Sequence, residues 1–240
     1  MYKTFDIQWD DEKVKRFWDN KTTDNADYFA KAVGQHVLKT INKKTPLKNI
    51  EVLDYGSGPG HLFEYTKKYN MKYSAIDFST ESVKYMKTNF GSDPLFKNGY
   101  LHSEIKDIDS SFDMIISCEV IEHLDDEKLD GMIKDLNSLI KPNGYVCLTT
   151  PNNEDLSKNV SCCPECGCKF HGMQHVRSWN QKSLSEFMEK SGFTTVSVKE
   201  LRLLHSDTTI PQIKEKIKAL ASTFGYSRYL PNLLYIGKKK

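Results

Sequence analysis

The sequence lacks long apolar segments and blocks of charge of one sign. Residues 1–15 contain no apolar core of signal-peptide length, and no run elsewhere approaches the roughly 20 apolar residues that a membrane-spanning helix requires. The chain has 34 Lys and Arg against 32 Asp and Glu, and its longest run of lysine is formed by the last three residues. Nothing in the charge therefore demands nucleic acid or an anionic membrane as a partner. We expect a cytoplasmic protein that does not associate with membranes.

Cysteine is scarce outside one short segment. The six cysteines do not indicate a disulfide framework, because such frameworks belong to small secreted domains. Cys118 and Cys147 lie in apolar runs that resemble strands, where a thiol packs as a small apolar side chain. The other four fall between Cys162 and Cys168, and this clustering needs a separate explanation.

The order of predicted elements indicates one α/β domain of 240 residues with additions. Residues 1–48 read as a helical extension, and strands then alternate with helices, which is typical of a parallel sheet covered by helices on both faces. An insertion over 151–178 follows the fifth strand. The predicted strands are 49–55, 72–77, 95–101, 112–118, 145–150, 193–204 and 233–238, and the predicted helices are 60–70, 79–90, 125–140, 183–191 and 210–223.

A glycine-rich turn follows the first of these strands. Gly56, Gly58 and Gly60 come at two-residue spacing directly after Asp54, so bare backbone would allow a ligand to approach closely. The dinucleotide fingerprint G-x-G-x-x-G does not fit, because the third glycine arrives one residue early. Asp54 would also repel a phosphate, so the turn favours a ligand that carries positive charge.

An acid ends the second predicted strand. Asp77 lies about twenty residues after the first glycine, where nucleotide-binding α/β folds bring a carboxylate to the ribose hydroxyls. Alternatively, Asp77 caps the helix that begins near Ser79 and Thr80. The glycine turn at this distance favours the ribose role.

A third group of polar residues follows the fourth predicted strand. Glu119, Glu122 and His123 are delivered to the carboxyl edge of the sheet, where ligands bind in such folds. If the chain turns helically there, Glu119 faces both of the others. Two carboxylates and an imidazole are suited to a divalent cation such as Mg²⁺. The alternatives are that His123 acts as a general base without metal, or that these are solvated residues at a helix start.

Together these motifs resemble class I S-adenosylmethionine-dependent methyltransferases, whose fold is a seven-stranded Rossmann-like sheet with an antiparallel final strand. The E-V-I-E-H-L string at 119–124 is similar to that of two groups, the ubiquinone-biosynthesis O-methyltransferases and the small-RNA 3′-end 2′-O-methyltransferases. The RNA group implies a cation bound by Glu119, Glu122, His123 and a later histidine, which maps onto His175. The resemblance implies catalytic roles for His123 and Glu122. It implies S-adenosylmethionine contacts for Asp54, Gly56, Ser57, Gly58, Gly60, Asp77, Phe78, Cys118 and Glu119.

The cysteine-rich insertion predicts a structural zinc. Cys163 and Cys166 form a C-x-x-C knuckle, and His171 and Cys168 complete a set of four ligands. Cys162 and His175 are alternative fourth ligands, but we assign His175 to the active site. The remaining hypotheses are free thiols and a redox pair, although the strand–helix context of redox C-x-x-C motifs is absent.

Three functions fit these residues. The first is O-methylation of a small molecule, for instance a sugar-type hydroxyl, by an enzyme that uses S-adenosylmethionine. The second is 2′-O-methylation of RNA, against which the near-neutral charge counts. The third is a non-catalytic, zinc-bearing binding module. Peripheral segments are expected to cover the substrate pocket, with Trp18, Tyr28 and Phe29 as candidate lining residues.

Overall fold

A computed structural model describes residues 3–23, 28–109, 111–202 and 231–240. The predicted helix over 210–223 lies outside the described residues. Within the described ranges, no helix combines the length and the apolar character that crossing a bilayer would take.

Within the described residues, seven strands form the main sheet, which confirms the predicted fold class. Its strand order is β4-β3-β2-β5-β6-β10-β9, in which β10 runs antiparallel to both of its neighbours and the other pairs are parallel. The central strands are buried on both faces because helices cover each side of the sheet. The bounds are β2 Glu51–Tyr55, β3 Lys72–Asp77, β4 Phe96–Leu101, β5 Phe112–Cys118, β6 Ile140–Pro151, β9 Phe193–Leu201 and β10 Asn232–Lys239.

Helices pack on both faces of this sheet and give it two apolar cores. The helices α2, α3 and α4 contribute to one core, and α5 and α6 contribute to the other. Side-chain caps fix where α4 and α5 begin, since Ser79 accepts the backbone N–H of Ser82 and Asp125 accepts that of Lys128. The helix bounds are α1 Asp11–Thr23, α2 Phe29–Asn42, α3 Phe63–Thr66, α4 Thr80–Phe90, α5 Asp126–Leu139 and α6 Gln181–Lys190.

Two elements differ most from their predicted bounds. The helix expected over 60–70 is a short α-helix, α3, that continues as a 3₁₀ turn to Tyr69, because the chain is still turning at Gly60. Strand β6 begins at Ile140 rather than at 145. The pairing of β6 with β5 is irregular where Pro142 and Asn143 lie, and both residues are exposed. These helix breakers therefore interrupt the hydrogen bonding between the two strands without ending β6.

The N-terminal extension and the cysteine-rich insertion form a small second sheet. Its strand order is β1-β8-β7, with β1 at Phe5–Asp6, β7 at Val160–Cys162 and β8 at Cys168–His171. Trp9 joins the two segments, since its ring lies edge-on to Phe17 at 5.7 Å and to Phe170 at 6.2 Å. The extension is therefore not purely helical, and its first strand pairs with the insertion.

Candidate functional site

The glycine turn after β2 has the backbone conformation that only glycine adopts easily. The φ angles of Gly56, Gly58 and Gly60 are 74°, 52° and 78°. A Cβ atom at Gly56 would lie 2.6 Å from Val120, and one at Gly58 would lie 3.0 Å from the ring of Tyr28. The turn is thus closely covered, and Tyr28 packs on the segment predicted to meet the ligand.

Asp77 joins the end of β3 to this turn. One carboxylate oxygen accepts the backbone N–H of Gly58 at 2.7 Å, and the other accepts that of Ser79 at 2.9 Å. Asp77 is buried, and burial raises its pKa to about 6 even though these bonds favour the charged form. The carboxylate therefore holds the glycine turn and the start of α4 together, and each oxygen keeps a lone pair for a further donor.

Asp54 has a partner that the sequence did not reveal. The hydroxyl of Tyr73, on the neighbouring strand, donates to Asp54 Oδ2 at 2.6 Å. Both side chains are buried, and burial raises the pKa of Asp54 to about 7. A nearby cation would favour the ionised form of this carboxyl.

The other predicted donor contacts lie around the same edge of the sheet. The hydroxyl of Ser57 donates to the carbonyl of Gly58 at 3.2 Å, inside the turn. Phe78 directly follows β3 and is 48% exposed. Cys118 ends β5 and is half-buried, and burial raises the pKa of its thiol. The residues assigned to the donor thus come from the carboxyl ends of three adjacent strands.

The segment after β5 is a turn and not a helix. The prediction that Glu119 faces Glu122 and His123 assumed a helix there. Glu119 has a φ of 55°, and its backbone N–H donates to the carbonyl of Thr149 at 3.1 Å. The N–H of His123 then closes a single turn on Val120 at 3.0 Å. Burial raises the pKa of Glu119 to about 8, and its Oε1 has no hydrogen-bond partner among the described residues.

Glu122, His123 and His175 converge in the structure. Each offers one ligand atom, and these three atoms lie within 4.8 Å of one another. The carboxylate of Glu122 is buried, and its Oε2 accepts the hydroxyl of Thr150 at 3.0 Å. Across the described ranges its Oε1 has no hydrogen-bond partner, and it lies 3.8 Å from His123 Nε2. Glu119, the fourth predicted ligand, lies outside this set of three.

The protonation states in this cluster follow from burial. The pKa of Glu122 is raised well above its usual range, first by burial and then by the charge of Glu119. The pKa of His123 falls to about 3 because burial disfavours the imidazolium. His123 is therefore a neutral ring that can offer a lone pair.

Trp18 and Gln174 cover this cluster from the N-terminal extension and the insertion. The ring of Trp18 lies edge-on to that of His123 at 4.9 Å, and its Nε1 donates to Gln174 Oε1 at 2.9 Å. Gln174 in turn donates from Nε2 to the carbonyl of His123 at 3.0 Å. Of the three candidate lining residues, Trp18 and Tyr28 lie at the site, whereas Phe29 packs against the core.

The predicted zinc ligands are divided between two places. The ligand atoms of Cys163, Cys166 and Cys168 lie within 4.8 Å of one another, on a knuckle closed by backbone bonds from Gly167 N to Cys163 O and from Cys163 N to Cys168 O. His171 groups instead with Glu154 and His175. Cys168 and His171 are three residues apart on β8, so they lie about 10 Å apart along the strand and their side chains point to opposite faces. The prediction that His171 binds zinc together with these cysteines is therefore wrong.

Sequence reasoning missed Glu154. One carboxylate oxygen contacts His175 Nδ1, and the other lies 3.6 Å from His171 Nε2. The signal was present, because Glu154 follows the carboxyl end of β6, the edge at which ligands bind in such sheets. Tyr73 and Gln174 gave no comparable signal, since their roles depend on residues distant in the chain.

Curated relatives of this chain include ubiquinone biosynthesis O-methyltransferases. The chain is 32% identical over 116 residues to a ubiquinone biosynthesis O-methyltransferase of Pelagibacter ubique, which covers 48% of each protein. It is 30% identical over 134 residues to the mitochondrial ubiquinone biosynthesis O-methyltransferase of Bos taurus, covering 52% of the chain and 36% of that protein. The chain therefore aligns with between a third and a half of the length of these relatives.

Solved structures share the fold at low sequence identity. The 1,6-didemethyltoxoflavin-N1-methyltransferase of Burkholderia thailandensis, solved with 1,6-didemethyltoxoflavin and S-adenosylhomocysteine, superposes with a TM-score of 0.64 at 14% identity. That match covers 99% of this chain and 94% of the other. A putative sarcosine dimethylglycine methyltransferase from Galdieria sulphuraria gives a TM-score of 0.58 at 13% identity, covering 86% and 85%.

A family model described as a methyltransferase domain matches residues 12–198, which is more than half of the chain. The matched region contains the glycine turn, Asp77 and the residues that converge after β5. The relatives and structural neighbours named above are methyltransferases as well. The chain therefore belongs to the methyltransferase-domain family, as a class I methyltransferase whose cofactor is S-adenosylmethionine.

Proposed function

We propose that this methyltransferase methylates a hydroxyl oxygen of a small molecule, with a divalent cation held by Glu122, His123 and His175. S-Adenosylmethionine supplies a methyl carbon activated by a sulfonium. The glycine turn and Asp77 would bind the donor at the ends of β2 and β3. Glu122 and His123 follow β5, and His175 lies in the insertion after β6, at the same edge of the sheet. An acceptor bound at the cation would then stand beside the donor.

The convergence of one carboxylate and two imidazoles supports this proposal. Their ligand atoms lie within 4.8 Å of one another, and the buried Glu122 Oε1 has no hydrogen-bond partner in the part of the chain described here. A buried carboxylate oxygen without a partner costs free energy, and a bound cation would remove that cost. The donor set fits a divalent ion.

The cation would act on the acceptor. Binding to a divalent ion lowers the pKa of a hydroxyl, so the oxygen can lose its proton near neutral pH. The same ligands would also orient the oxygen for in-line displacement at the methyl carbon. Mg²⁺ prefers oxygen ligands and retains several waters, whereas sites with nitrogen ligands bind first-row transition ions, among which Mn²⁺ also suits a carboxylate. We therefore favour Mn²⁺ over the Mg²⁺ expected from sequence.

Glu122→Gln tests this function. Transfer of labelled methyl from S-adenosylmethionine into a small-molecule extract should stop after chelation and return with Mn²⁺. The variant should lose more than about 100-fold of this turnover, because its cation loses a charged ligand. Glu127→Gln, an exposed residue at the start of α5, should match the wild type. Full turnover of the chelated wild type, or of Glu122→Gln, would refute the metal-assisted reaction.

RNA 2′-O-methylation is the second candidate. The convergence of His175 with Glu122 and His123 favours it, because the resemblance to the RNA group implies this ligand set. The near balance of 34 basic and 32 acidic residues counts against it, since phosphate contacts need clustered Lys and Arg. RNase treatment of the labelled products separates the two candidate functions. Label in RNA changes from acid-insoluble to acid-soluble on digestion, whereas label in a small molecule does not respond to RNase.

We also propose a structural zinc on Cys163, Cys166 and Cys168. Three converging thiolates are a typical donor set for zinc, which requires a fourth ligand. Cys162 is the remaining cysteine next to the knuckle and is the fourth ligand that we favour. It is exposed, so its side chain is accessible for this role. Zinc would stabilise a short hairpin that has little apolar core of its own.

A further inference from the structure

We infer that Glu154 and His171 form a positioning pair that orients His175 toward the proposed cation. Glu154 contacts both histidines, and none of these contacts involves the donor turn. The inference rests on the proposed cation site and adds two residues to it. Neither residue would touch the cation or the acceptor.

The hydrogen bonds of His171 fix its tautomer. Its Nδ1 accepts the backbone N–H of His175 at 3.2 Å and that of Met173 at 3.4 Å. A ring nitrogen that accepts hydrogen bonds carries no proton, so the proton of the neutral ring is on Nε2. The His171 side chain is buried, and its Nε2 lies 3.6 Å from Glu154 Oε1. The proton of His171 is therefore on the nitrogen near Glu154, although at 3.6 Å the two groups are too far apart for a hydrogen bond, and among the described residues Nε2 has no hydrogen-bond partner.

Glu154 fixes the tautomer of His175 in turn. Its Oε2 contacts Nδ1 of His175, and a carboxylate only accepts hydrogen bonds. The proton of His175 is therefore on Nδ1, and the lone pair is on Nε2. The ring of His175 stacks on that of His171 at 4.7 Å and lies 4.8 Å from that of His123. Glu154 thus binds Nδ1 of His175, while Nε2 is available to the cluster with Glu122 and His123.

A carboxylate behind a histidine ring is the arrangement that strengthens the binding of a metal ion by that histidine. A carboxylate that accepts the second ring N–H sets the ring orientation and increases the basicity of the coordinating nitrogen. Glu154, His171 and His175 are also close enough to hold an ion by themselves. Such an ion would need the lone pair of His171 Nε2, which the hydrogen bonds to Nδ1 make unavailable. The geometry therefore favours positioning over a second cation.

Glu154→Gln tests the inference in the full-length protein. Free Mn²⁺ is measured by electron paramagnetic resonance during titration, because Mn²⁺ prefers carboxylate ligands to the thiolates of the cysteine knuckle. The wild type should bind one ion in this cluster. The variant should bind one ion about 10- to 100-fold more weakly, since the charge that supports His175 is lost. Glu154→Asp, which keeps the charge, should recover part of the affinity, and the exposed Glu200→Gln should match the wild type.

The outcomes separate this inference from the proposed function. Wild-type affinity in Glu154→Gln would overturn the positioning role while leaving the cation site in place. Two ions in the wild type, one of them lost in Glu154→Gln, would show that Glu154 is itself a ligand and would also overturn it. If the wild type binds no Mn²⁺, the cation of the proposed function is refuted and the positioning pair with it.

Discussion

Replacing Asp54 by Asn should stabilise the ligand-free protein at alkaline pH. The carboxyl is buried against the Tyr73 hydroxyl, 2.6 Å away, and its pKa is raised to about 7 by burial. Above its unfolded pKa of 3.8, folding must therefore keep the group protonated or bury its charge. Asn keeps an oxygen that accepts the Tyr73 hydroxyl but has no charge to bury.

The sign and size of the effect follow from linkage. Because the folded pKa lies above the unfolded one, the folded state binds more protons between them, and the free energy of unfolding falls as pH rises. For a shift from 3.8 to about 7, the loss between about pH 5 and about pH 8 amounts to about 3 kcal/mol. Asp77 and Glu119, with raised pKa values, contribute in the same direction.

Urea unfolding at several pH values measures this difference. The free energy of unfolding of Asp54→Asn relative to the wild type should rise by about 3 kcal/mol between about pH 5 and about pH 8. Asp109→Asn, at an exposed position, should follow the wild-type curve. A constant difference between Asp54→Asn and the wild type across this range would show that Asp54 ionises without cost and would refute the reasoning.

Two further predictions concern the glycine turn and the knuckle. Gly60→Ala should lower the free energy of unfolding by about 1–3 kcal/mol, because φ is +78° and the new Cβ would lie 2.7 Å from Met86 Sδ. Gly131→Ala, in α5 with nothing within 4 Å, should raise it by about 0.5–1 kcal/mol; equal effects would contradict the account of the turn. Elemental analysis should find one zinc per chain, absent from Cys163→Ser and retained in Cys147→Ser. A zinc-free wild type with six freely titrating thiols would end the zinc proposal.

The main sheet could be predicted because its determinants are local in the sequence. Apolar runs separated by helical patterns specify a parallel sheet with helices on both faces, and the structure confirms this fold class. The positions of the glycines were equally readable, since Gly56, Gly58 and Gly60 all adopt positive φ. The place of the antiparallel β10 came from the family resemblance and not from the pattern.

Glu154 could be placed at the binding edge of the sheet from the sequence. The second sheet and the contacts of Glu154 with His171 and His175 could not be predicted, because they join residues distant in the chain. Strand β1 pairs with β8 between Phe5 and Cys168, and no periodicity in either segment indicates that pairing. The spacing of the cysteines suggested His171 as a zinc ligand. Its actual neighbours were decided by the direction of β8 and by Glu154, a half-buried residue that follows the end of β6.

Calorimetric titration with S-adenosylmethionine and S-adenosylhomocysteine tests donor binding by the glycine turn and Asp77 most directly. The wild type should bind both ligands. Asp77→Asn should bind them about 10- to 100-fold more weakly, because a hydrogen bond to a charged acceptor contributes about 1.5–3 kcal/mol. Asp109→Asn should bind like the wild type. Absence of heat with either ligand, or unchanged affinity in Asp77→Asn, would contradict this assignment of the donor site.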